Sequence, residues 1–168
     1  MTVDVTEAKD RIAMALVESM FRRARYQVKA LLPERARFRF VRDDIVPRLS
    51  INVPDADGVE REVPLGVTYK PFVEAFIALE SQRRGSSLFA IARRRCPMLQ
   101  LIVVTDHPAP GRSCFQAMAT AGGDALHTVD LITLTQLRLF PHNIADHETL
   151  LRRIFALLSD EQVVTRVS

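Results

Sequence analysis

Two of the chain's four histidines lie close together in the stretch LFPHNIADHETLLRRIFALLSDEQ, residues 139–162. His142 and His147 stand beside the acids Asp146 and Glu148, and these residue types bind metals or move protons. The two histidines are five residues apart, whereas paired ligands on one helical face stand four apart, as in the HExxH motif. A metal site is therefore the minority interpretation, and we expect no metal and no other cofactor.

A structural role explains the same stretch without catalysis. Asn143 and Asp146 are both of a residue type that caps helices, because their side chains accept hydrogen bonds from main-chain N–H groups. Ser159, which is followed by two acids, is predicted to start a further turn. Apolar residues recur at helical spacing and predict the buried face of a last helix, namely Leu150, Leu151, Ile154, Phe155 and Leu158.

Three residues elsewhere follow the order of side chains found in many metal-dependent nucleases. Glu18 falls on the first predicted helix, Asp55 follows a strand, and Lys70 ends the next strand. In such enzymes the acids hold Mg²⁺ and the lysine steadies the attacking water or the transition state. Thr68 stands two residues before the lysine, at a position where Mg²⁺ needs an anionic oxygen. A nuclease-fold protein, active or inactive, is therefore the alternative hypothesis rather than the leading one.

The basic residues are almost all arginines, twenty against three lysines, and the formal net charge is +3. Arginine makes bidentate contacts with phosphate, so a mildly basic chain of this kind is compatible with nucleic-acid binding. An arginine-rich genome would explain the same bias. Two clusters are candidate phosphate contacts on charge alone, namely Arg22, Arg23 and Arg25, and Arg93, Arg94 and Arg95.

Length and composition bound the class of protein. The chain has 168 residues, of which 48% are hydrophobic, so it can bury a core and is not predicted to be disordered. Its apolar runs are too short to span a bilayer, and acids stand at the N-terminus where a secretory signal would be basic. We therefore expect an intracellular protein without a membrane partner. The two cysteines form no CxxC pair, which argues against a zinc knuckle or a disulfide framework.

Hydrophobic periodicity predicts alternating helices and strands. Asp4 and Glu7 predict a capping box before the first helix, and the helix that begins at Pro71 is expected to bury Phe72, Val73, Phe76 and Leu79. The order predicts an α/β fold of three layers around a mixed sheet, with the last two strands parallel and adjacent. Helices are predicted at 7–25, after Pro71, at 88–95, at 111–120 and in the last stretch, and strands at 48–53, 61–69, 99–105 and 129–134.

The segments HNIADHE and LLSDEQ resemble the junction motif of the fifth subunit shared by eukaryotic RNA polymerases and of its archaeal counterpart. The family pattern is Asn-Ile-x-acid-His-Glu, followed after a short segment by Leu-Ser-acid-Glu. On this resemblance, residues 1–140 are expected to form a jaw-like α/β domain and residues 141–168 a helical extension. The positions that match the motif are Asn143, Ile144, Asp146, His147, Glu148, Leu158, Ser159, Asp160 and Glu161.

The resemblance extends upstream at the level of pattern. The segment LQLIVVTDHPAPG is similar to the family's Ile-Ile-Val-Val strand and the loop after it, and Arg-Tyr-Gln-Val at 25–28 is similar to its Gly-Tyr-x-Val. The family's jaw carries a nuclease-like sheet without nuclease chemistry, so the resemblance implies a restriction-endonuclease-like topology that lacks the acids. The sequence departs from the pattern at Arg152 and Arg153, near the family's Pro and second His, and it shows no counterpart of the family's C-terminal docking domain.

The resemblance implies a non-catalytic component of a DNA-directed RNA polymerase. The implied partners are the large polymerase subunits and duplex DNA, contacted through its phosphates without reading the base sequence. The implied location is the nucleus of a eukaryotic cell, or the cytoplasm or virion for a diverged viral version. None of the clustered arginines aligns with a family motif, so their contact with DNA is a hypothesis from charge alone.

Overall fold

The computed structural model describes residues 4–31, 47–121 and 125–167, with four α-helices and six strands in these ranges. No helix in these ranges is long and apolar enough to cross a membrane. The helices are α1 (Val5–Arg23), α2 (Val73–Arg83), α3 (Leu88–Arg95) and α4 (Pro141–Val167). The strands are β1 (Val28–Ala30), β2 (Leu49–Pro54), β3 (Glu60–Tyr69), β4 (Gln100–Val104), β5 (Phe115–Ala121) and β6 (Ala125–Asp130).

The six described strands form one mixed sheet whose spatial order follows the order of the chain. β3 and β4 are parallel, and each other neighbouring pair is antiparallel. The segment that carries α2 and α3 makes the crossover that a parallel pair requires. The predicted α/β class with a mixed sheet is confirmed, whereas the restriction-endonuclease-like topology stays a prediction.

The strand β4 lies inside the sheet, and its side chains divide between two cores. Ile102 and Val104 belong to the core that α1 and α4 cover. Leu101 and Val103 belong to the core that α2 and α3 cover. All four are fully buried, because alternate side chains of a strand point to opposite faces and both faces here carry helices. The prediction of a central strand at 99–105 is confirmed, and the alternation makes the fold three-layered.

The helix α4 packs in the same core as α1. Leu151 and Phe155 are buried there with Leu16 and Met20 of α1, and the ring of Phe155 meets that of Tyr69 edge to face at 5.1 Å. Each such fully buried apolar side chain contributes about 1.5–3 kcal/mol relative to exposure. The proposed division after residue 140 therefore falls at the start of a helix whose apolar side chains belong to the core of the preceding residues.

Several local predictions are confirmed. The side chain of Asp4 accepts hydrogen bonds from the main-chain N–H groups of Thr6 and Glu7 at 3.0 and 3.3 Å, so it caps α1. This is the Asp4 half of the predicted capping box, and the side chain of Glu7 accepts from Arg11 at 2.7 Å instead. The β2–β3 hairpin closes through the PDADG turn, where Asp55 accepts from the N–H groups of two later residues. The helix predicted at 88–95 is α3, and Ser87 caps it.

The prediction of a helix at 111–120 is wrong, because residues 115–121 form strand β5. Alanine, methionine and glutamine favour helices in isolation, yet this segment pairs with β4 on one side and β6 on the other. Phe115, Ala117 and Met118 are buried in that position. Burial and sheet pairing therefore outweigh the local preference, as they commonly do in strands. Gly122 and Gly123, which by residue type would end the predicted helix, lie outside the described residues.

The missed strand also changes the predicted topology. The strand expected at 129–134 is β6 at 125–130, and residues 131–133 form a 3₁₀ turn instead. β6 is separated from β4 by β5, so the expectation that these two strands are adjacent and parallel is wrong. The crossover rule applies instead to β3 and β4, whose connection contains helices.

The buried face of α2 also differs from the prediction. Phe72 is 71% exposed and Leu79 is 47% exposed. Phe72 precedes the helix, which begins at Val73, and the last buried position of the helix is 80 rather than 79. Val73 and Phe76 are buried as predicted, and the third buried residue of the stripe is Glu80. A carboxylate thus occupies a position that hydrophobic periodicity cannot identify.

Candidate nucleic-acid interface

The last turn of α1 presents an arginine-rich surface, defined here by Arg22, Arg23 and Arg25. Arg22 is held by Glu18, one turn earlier, through two hydrogen bonds of 3.1 and 2.9 Å, and it also donates to the main-chain oxygen of Val28 at 3.3 Å. The side chains of Arg23 and Arg25 are exposed and have no hydrogen-bond or ion-pair partner among the described residues. Two unpaired guanidinium groups at this surface are free to contact an anion such as phosphate.

The backbone of Arg25 adopts the left-handed conformation, with φ at +69°. The N–H groups of Arg25 and Tyr26 donate to the main-chain oxygens of Arg22 and Phe21, both at 3.0 Å. This is the Schellman arrangement that ends helices, and glycine is the usual residue at the left-handed position. A side chain there costs about 1–2 kcal/mol. An arginine is therefore placed where the backbone favours glycine, which is typical of a residue with a role beyond folding.

A cleft of about 1090 Å³ opens beside this surface, between the end of α1, the β2–β3 turn and residues 135–140. Its walls carry charges of both signs, from Arg25 and Arg138 on one hand and from Asp55 and Glu60 on the other. Burial raises the pKa of the Tyr26 phenol in its wall, and nearby Arg138 partly offsets that rise. The arginine excess is thus confined to the rim formed by α1.

A polar join beneath the rim holds the last turn of α1 in place. The amide nitrogen of Asn143 donates to the main-chain oxygen of Met20 at 2.9 Å. The ring of His147 makes two contacts, at 2.7 Å to the main-chain oxygen of Asn143 and at 3.0 Å to the hydroxyl of Ser19. A carbonyl oxygen can only accept, so Nδ1 of His147 carries a proton. Both side chains are buried, and they tie the start of α4 to α1.

The predicted capping role of the junction motif is wrong for both candidates. α4 begins at Pro141, which is a favoured first residue of a helix, and the N–H of Ile144 already donates to the oxygen of Phe140. Asn143 is therefore inside the helix and bonds to Met20 of α1 instead, while Asp146 is exposed. Helical spacing of four residues puts Asn143 and His147 on one face.

The other motif residues have structural partners of their own. Ile144 is buried in the main core, and Leu158 packs partly against it. Glu148 accepts a hydrogen bond from the hydroxyl of Ser113 at 2.9 Å. Ser159 starts no new turn, because it lies within α4 and donates to the oxygen of Phe155 at 3.0 Å. Asp160 and Glu161 belong to α4, but their side chains lie outside the described residues.

The arginines of α3 lie in the other helical layer. Arg93 donates to the main-chain oxygen of Pro97 at 3.0 Å and lies over the ring of Phe89. Arg94 and Arg95 are exposed at the end of the same helix. Because α1 and α3 cover opposite faces of the sheet, the structure does not join the two predicted arginine clusters into one surface.

The three residues of the nuclease hypothesis are not brought together either. Asp55 is in the β2–β3 turn and pairs with Arg61 at 3.0 Å. Lys70 follows the other end of β3, so the ten-residue strand separates the two by roughly 30 Å at the usual rise per residue. Glu18 pairs with Arg22. Among the described residues, no group of three or more His, Cys, Asp or Glu could hold a metal ion.

A second polar cluster, in which the sequence analysis did not identify Lys9, Tyr69 or Asp106, lies where the parallel strands β3 and β4 end. Asp106 accepts from the hydroxyl of Tyr69 at 2.7 Å and lies 3.7 Å from the ammonium of Lys9. His107 contacts the same carboxylate at 3.1 Å. The signal was the Thr-Asp-His that follows the apolar run, since the carboxyl ends of parallel strands commonly carry functional side chains.

The electrostatics of this cluster favour a fixed structural state. Burial tends to raise the pKa of Asp106, but hydrogen bonds from Tyr69 and His107 and the charge of Lys9 outweigh it, so that pKa lies below its usual value. Burial and the neighbouring Asp106 both raise the pKa of Tyr69. Asp106 therefore stays ionised and Tyr69 stays protonated at neutral pH, so neither of these two groups is poised to exchange a proton.

The cysteines offer no nucleophile. Cys114 is fully buried, and burial, with the charge of Glu148 beside it, raises the pKa of its thiol to about 11. Burial likewise raises the pKa of Cys96. A thiol that stays protonated does not attack.

Comparison of the chain with protein-family models, curated proteins and solved structures finds no match. Its function is therefore inferred from the geometry of its own residues and from the resemblance of the junction motif.

Proposed function

We propose that this protein is a non-catalytic, subunit-like component of a DNA-directed RNA polymerase, and that the arginine-rich surface of α1 contacts the phosphates of duplex DNA. The observation that carries the proposal is the join between the motif and that surface. Asn143 and His147, two residues that match the polymerase junction motif, bond to the last turn of α1. Arg23 and Arg25 follow directly in the chain and project into solvent.

The geometry of the join supports a scaffold rather than a catalyst. His147 is buried in the join, and Glu148 and Asp55 bond to neighbouring side chains. His142 and Asp146 are exposed, and Asp55 and Lys70 lie beyond opposite ends of β3. A buried, hydrogen-bonded side chain fixes orientation, and here it fixes the helix end that presents the arginines. The same residues that resemble the family motif thus position the candidate DNA contacts.

The expected binding is weak and independent of base sequence. Phosphate contacts release condensed counterions, and each contributes about 0.9 to the slope of log K against log salt concentration. Three arginines therefore predict a slope of roughly −2 to −3. Alone, such a surface binds duplex DNA weakly, but the high local concentration of DNA within a polymerase would compensate. The arginines then hold the downstream duplex without selecting a site.

The first test is affinity purification of the tagged chain from its native or infected cells, followed by mass spectrometry. The proposal predicts recovery of the large polymerase subunits in stable proportion. A second test measures binding to short duplex DNA over a range of salt concentrations. If the protein binds DNA but recovers no polymerase subunits, only the proposed DNA contact by the arginine-rich surface is supported. If it recovers polymerase subunits but does not bind DNA, only the proposed membership of the polymerase is supported.

A nuclease assay distinguishes the proposed non-catalytic role from the alternative hypothesis of an active nuclease. Purified protein with Mg²⁺ or Mn²⁺ should leave labelled duplex and single-stranded DNA intact. Cleavage that EDTA abolishes, and that Asp55→Ala or Lys70→Ala removes, would instead favour a nuclease and contradict the non-catalytic role.

A further inference from the structure

A buried carboxylate on α2 lacks half of its hydrogen bonds. Glu80 is 1% exposed, and its Oε2 accepts from the main-chain N–H of Phe89 at 3.1 Å. Its Oε1 is buried and has no hydrogen-bond partner within the described residues. A charged oxygen without a partner is unfavourable in a protein interior, so a donor group from elsewhere is expected to meet it.

Glu80 is one of the residues that line a small pocket. A pocket of about 330 Å³ lies at the corner between α2, α3 and strands β5 and β6, near the lower end of the range typical of small-ligand sites. The residues of its wall that matter here are Glu80, Arg84, Ser87, Arg93, Thr120 and Leu126.

The rim of the pocket is positively charged. The side chain of Arg84 is exposed and makes no hydrogen bond or ion pair within the described part of the chain. Arg93 uses one nitrogen on the oxygen of Pro97 and keeps other donors. One carboxylate and two guanidinium groups, of opposite charge, thus line the same pocket.

The backbone of Arg84 is strained as well. Its φ of +49° and ψ of −121° fall in a region that glycine adopts and other residues avoid. The neighbouring Gly85 would be the ordinary residue for such a turn, yet the arginine occupies it. The strain adds to the evidence from the unpaired carboxylate, because such outliers concentrate at binding sites.

We propose that this pocket binds a small zwitterion, with an amino group on Oε1 of Glu80 and an acidic group on Arg84 and Arg93. An ammonium group would donate to Oε1 of Glu80, one of the two buried side-chain acceptors, with Oδ1 of Asn143, that lack a partner among the described residues. A carboxylate or a phosphate matches the guanidinium pair. Free amino acids and amino-alcohol phosphates share this chemistry. The site lies on α2 and α3, in the layer opposite the arginine-rich surface of α1, and is independent of the proposed role in transcription.

The hydrogen bond from the N–H of Phe89 to Glu80 does not explain why the second oxygen of this carboxyl group is buried without a partner. Bonding to the N–H of Phe89 uses only Oε2, and a serine cap already serves the next N–H of α3. A buried water on Oε1 is the competing occupant, since waters commonly satisfy such groups. A water would leave the side chain of Arg84 without a partner among the described residues and would leave the remaining donors of Arg93 unused. The two occupants give different results with charged probes.

The experiment measures thermal unfolding of the full chain with single probes at millimolar concentration. The zwitterionic probes are the common L-amino acids and O-phosphoethanolamine, and ethylammonium and acetate are single-charge controls. At least one zwitterion should raise the midpoint by about 2–4 °C in a saturable way, while neither control does. A shift with amino acids alone identifies a carboxylate partner, and one with O-phosphoethanolamine alone identifies a phosphate partner.

Two variants test the assignment of groups. Glu80→Gln keeps an acceptor for Phe89 and removes the charge, so it should weaken binding by about tenfold or more. Arg84→Gly relieves the backbone strain and should melt at the same or a higher temperature without ligand, yet bind the probe about tenfold more weakly. Arg83→Gly, one residue earlier and outside the pocket wall, should lower the midpoint and keep binding.

Three results would overturn the proposal. The first is the absence of a saturable shift with every zwitterion. The second is unchanged binding in both Glu80→Gln and Arg84→Gly. The third is a structure at saturating probe that shows only a water molecule on Oε1.

Discussion

The side-chain amide of Asn143 donates a hydrogen bond to the main-chain oxygen of Met20 at 2.9 Å, across 123 residues of chain. That oxygen also accepts from the N–H of Ala24 in the last turn of α1. One contact therefore links the start of the last helix to the end of the first. The arginine-rich surface lies directly beyond it, so the stability of the join and the function proposed for the surface can be tested separately.

Replacing Asn143 by alanine should lower the free energy of unfolding by about 1–3 kcal/mol, because a buried hydrogen bond and its packing are lost. Asn143→Asp should cost more, since it places an acceptor-only carboxylate against the oxygen of Met20. Urea unfolding measures both through the shift in midpoint at constant slope. Asp146→Ala, an exposed change on the same helix, should stay within about 0.5 kcal/mol. Equal midpoints for Asn143→Ala and wild type would show that the hydrogen bond between Asn143 and Met20 does not stabilise the fold.

Glycine substitutions at Arg23 and Arg25 should have opposite effects on stability. Arg25→Gly places the preferred residue at the left-handed position and should stabilise the fold by up to about 1 kcal/mol. Arg23→Gly puts glycine inside the helix and should destabilise it by about 1 kcal/mol. Thermal or urea unfolding of the pair provides a matched comparison, since each variant loses one positive charge. A loss of stability in Arg25→Gly would show that its side chain contributes to folding, which would weaken the functional interpretation of its strain.

The double variant Arg23→Gln, Arg25→Gln should bind duplex DNA more weakly at low salt. Because each phosphate contact contributes close to one unit, the slope of log K against log salt should become about 2 units shallower. Fluorescence anisotropy with a short duplex at several salt concentrations measures the slope. Arg94→Gln removes one charge from the opposite layer and serves as the control. An unchanged slope in the double variant, or an equal loss per charge in the control, would argue for non-specific charge attraction instead.

Acid should weaken the cluster around Asp106. The pKa of that carboxyl is lower in the folded state than in the unfolded chain, where it is about 3.9. Its contribution is therefore present above pH 4 and is lost as the pH falls through the folded value. Asp106→Asn should lower stability at pH 7 and flatten the dependence of unfolding free energy on pH between about 5 and 3. An acid slope that stays as steep as in the wild type would show that other carboxyls set it, and Asp146→Asn is the exposed control.

Local sequence patterns predict two kinds of element well, namely those that bury one face and those that are buried on both faces. The amphipathic α1, the β2–β3 hairpin with its turn and the unbroken apolar β4 all follow from spacing. The segment Phe115–Ala121 does not, because its residues favour helix and only its two neighbouring strands make it a strand. Missing that strand was enough to predict the wrong neighbours for β6.

The site was less predictable than the fold, for a related reason. Asn143 and Asp146 are both good helix caps by residue type, and only the position of Pro141 at the helix start puts both inside α4. The clustering of Lys9, Tyr69 and Asp106 joins residues far apart in the chain. The buried Glu80 looks like an exposed helix residue by type. Tertiary contacts decide each of these cases, and no local spacing records them.

The central claim is that this chain works within an RNA polymerase without catalysing a reaction. The measurement that tests it most directly is affinity purification of the tagged chain from its native or infected cells, with quantitative mass spectrometry, beside the variant Arg23→Gln, Arg25→Gln. The account predicts that both forms recover the large polymerase subunits in constant proportion, and that the variant complex retains less DNA. Recovery of a monomer, free of polymerase at every salt concentration tested, would contradict it.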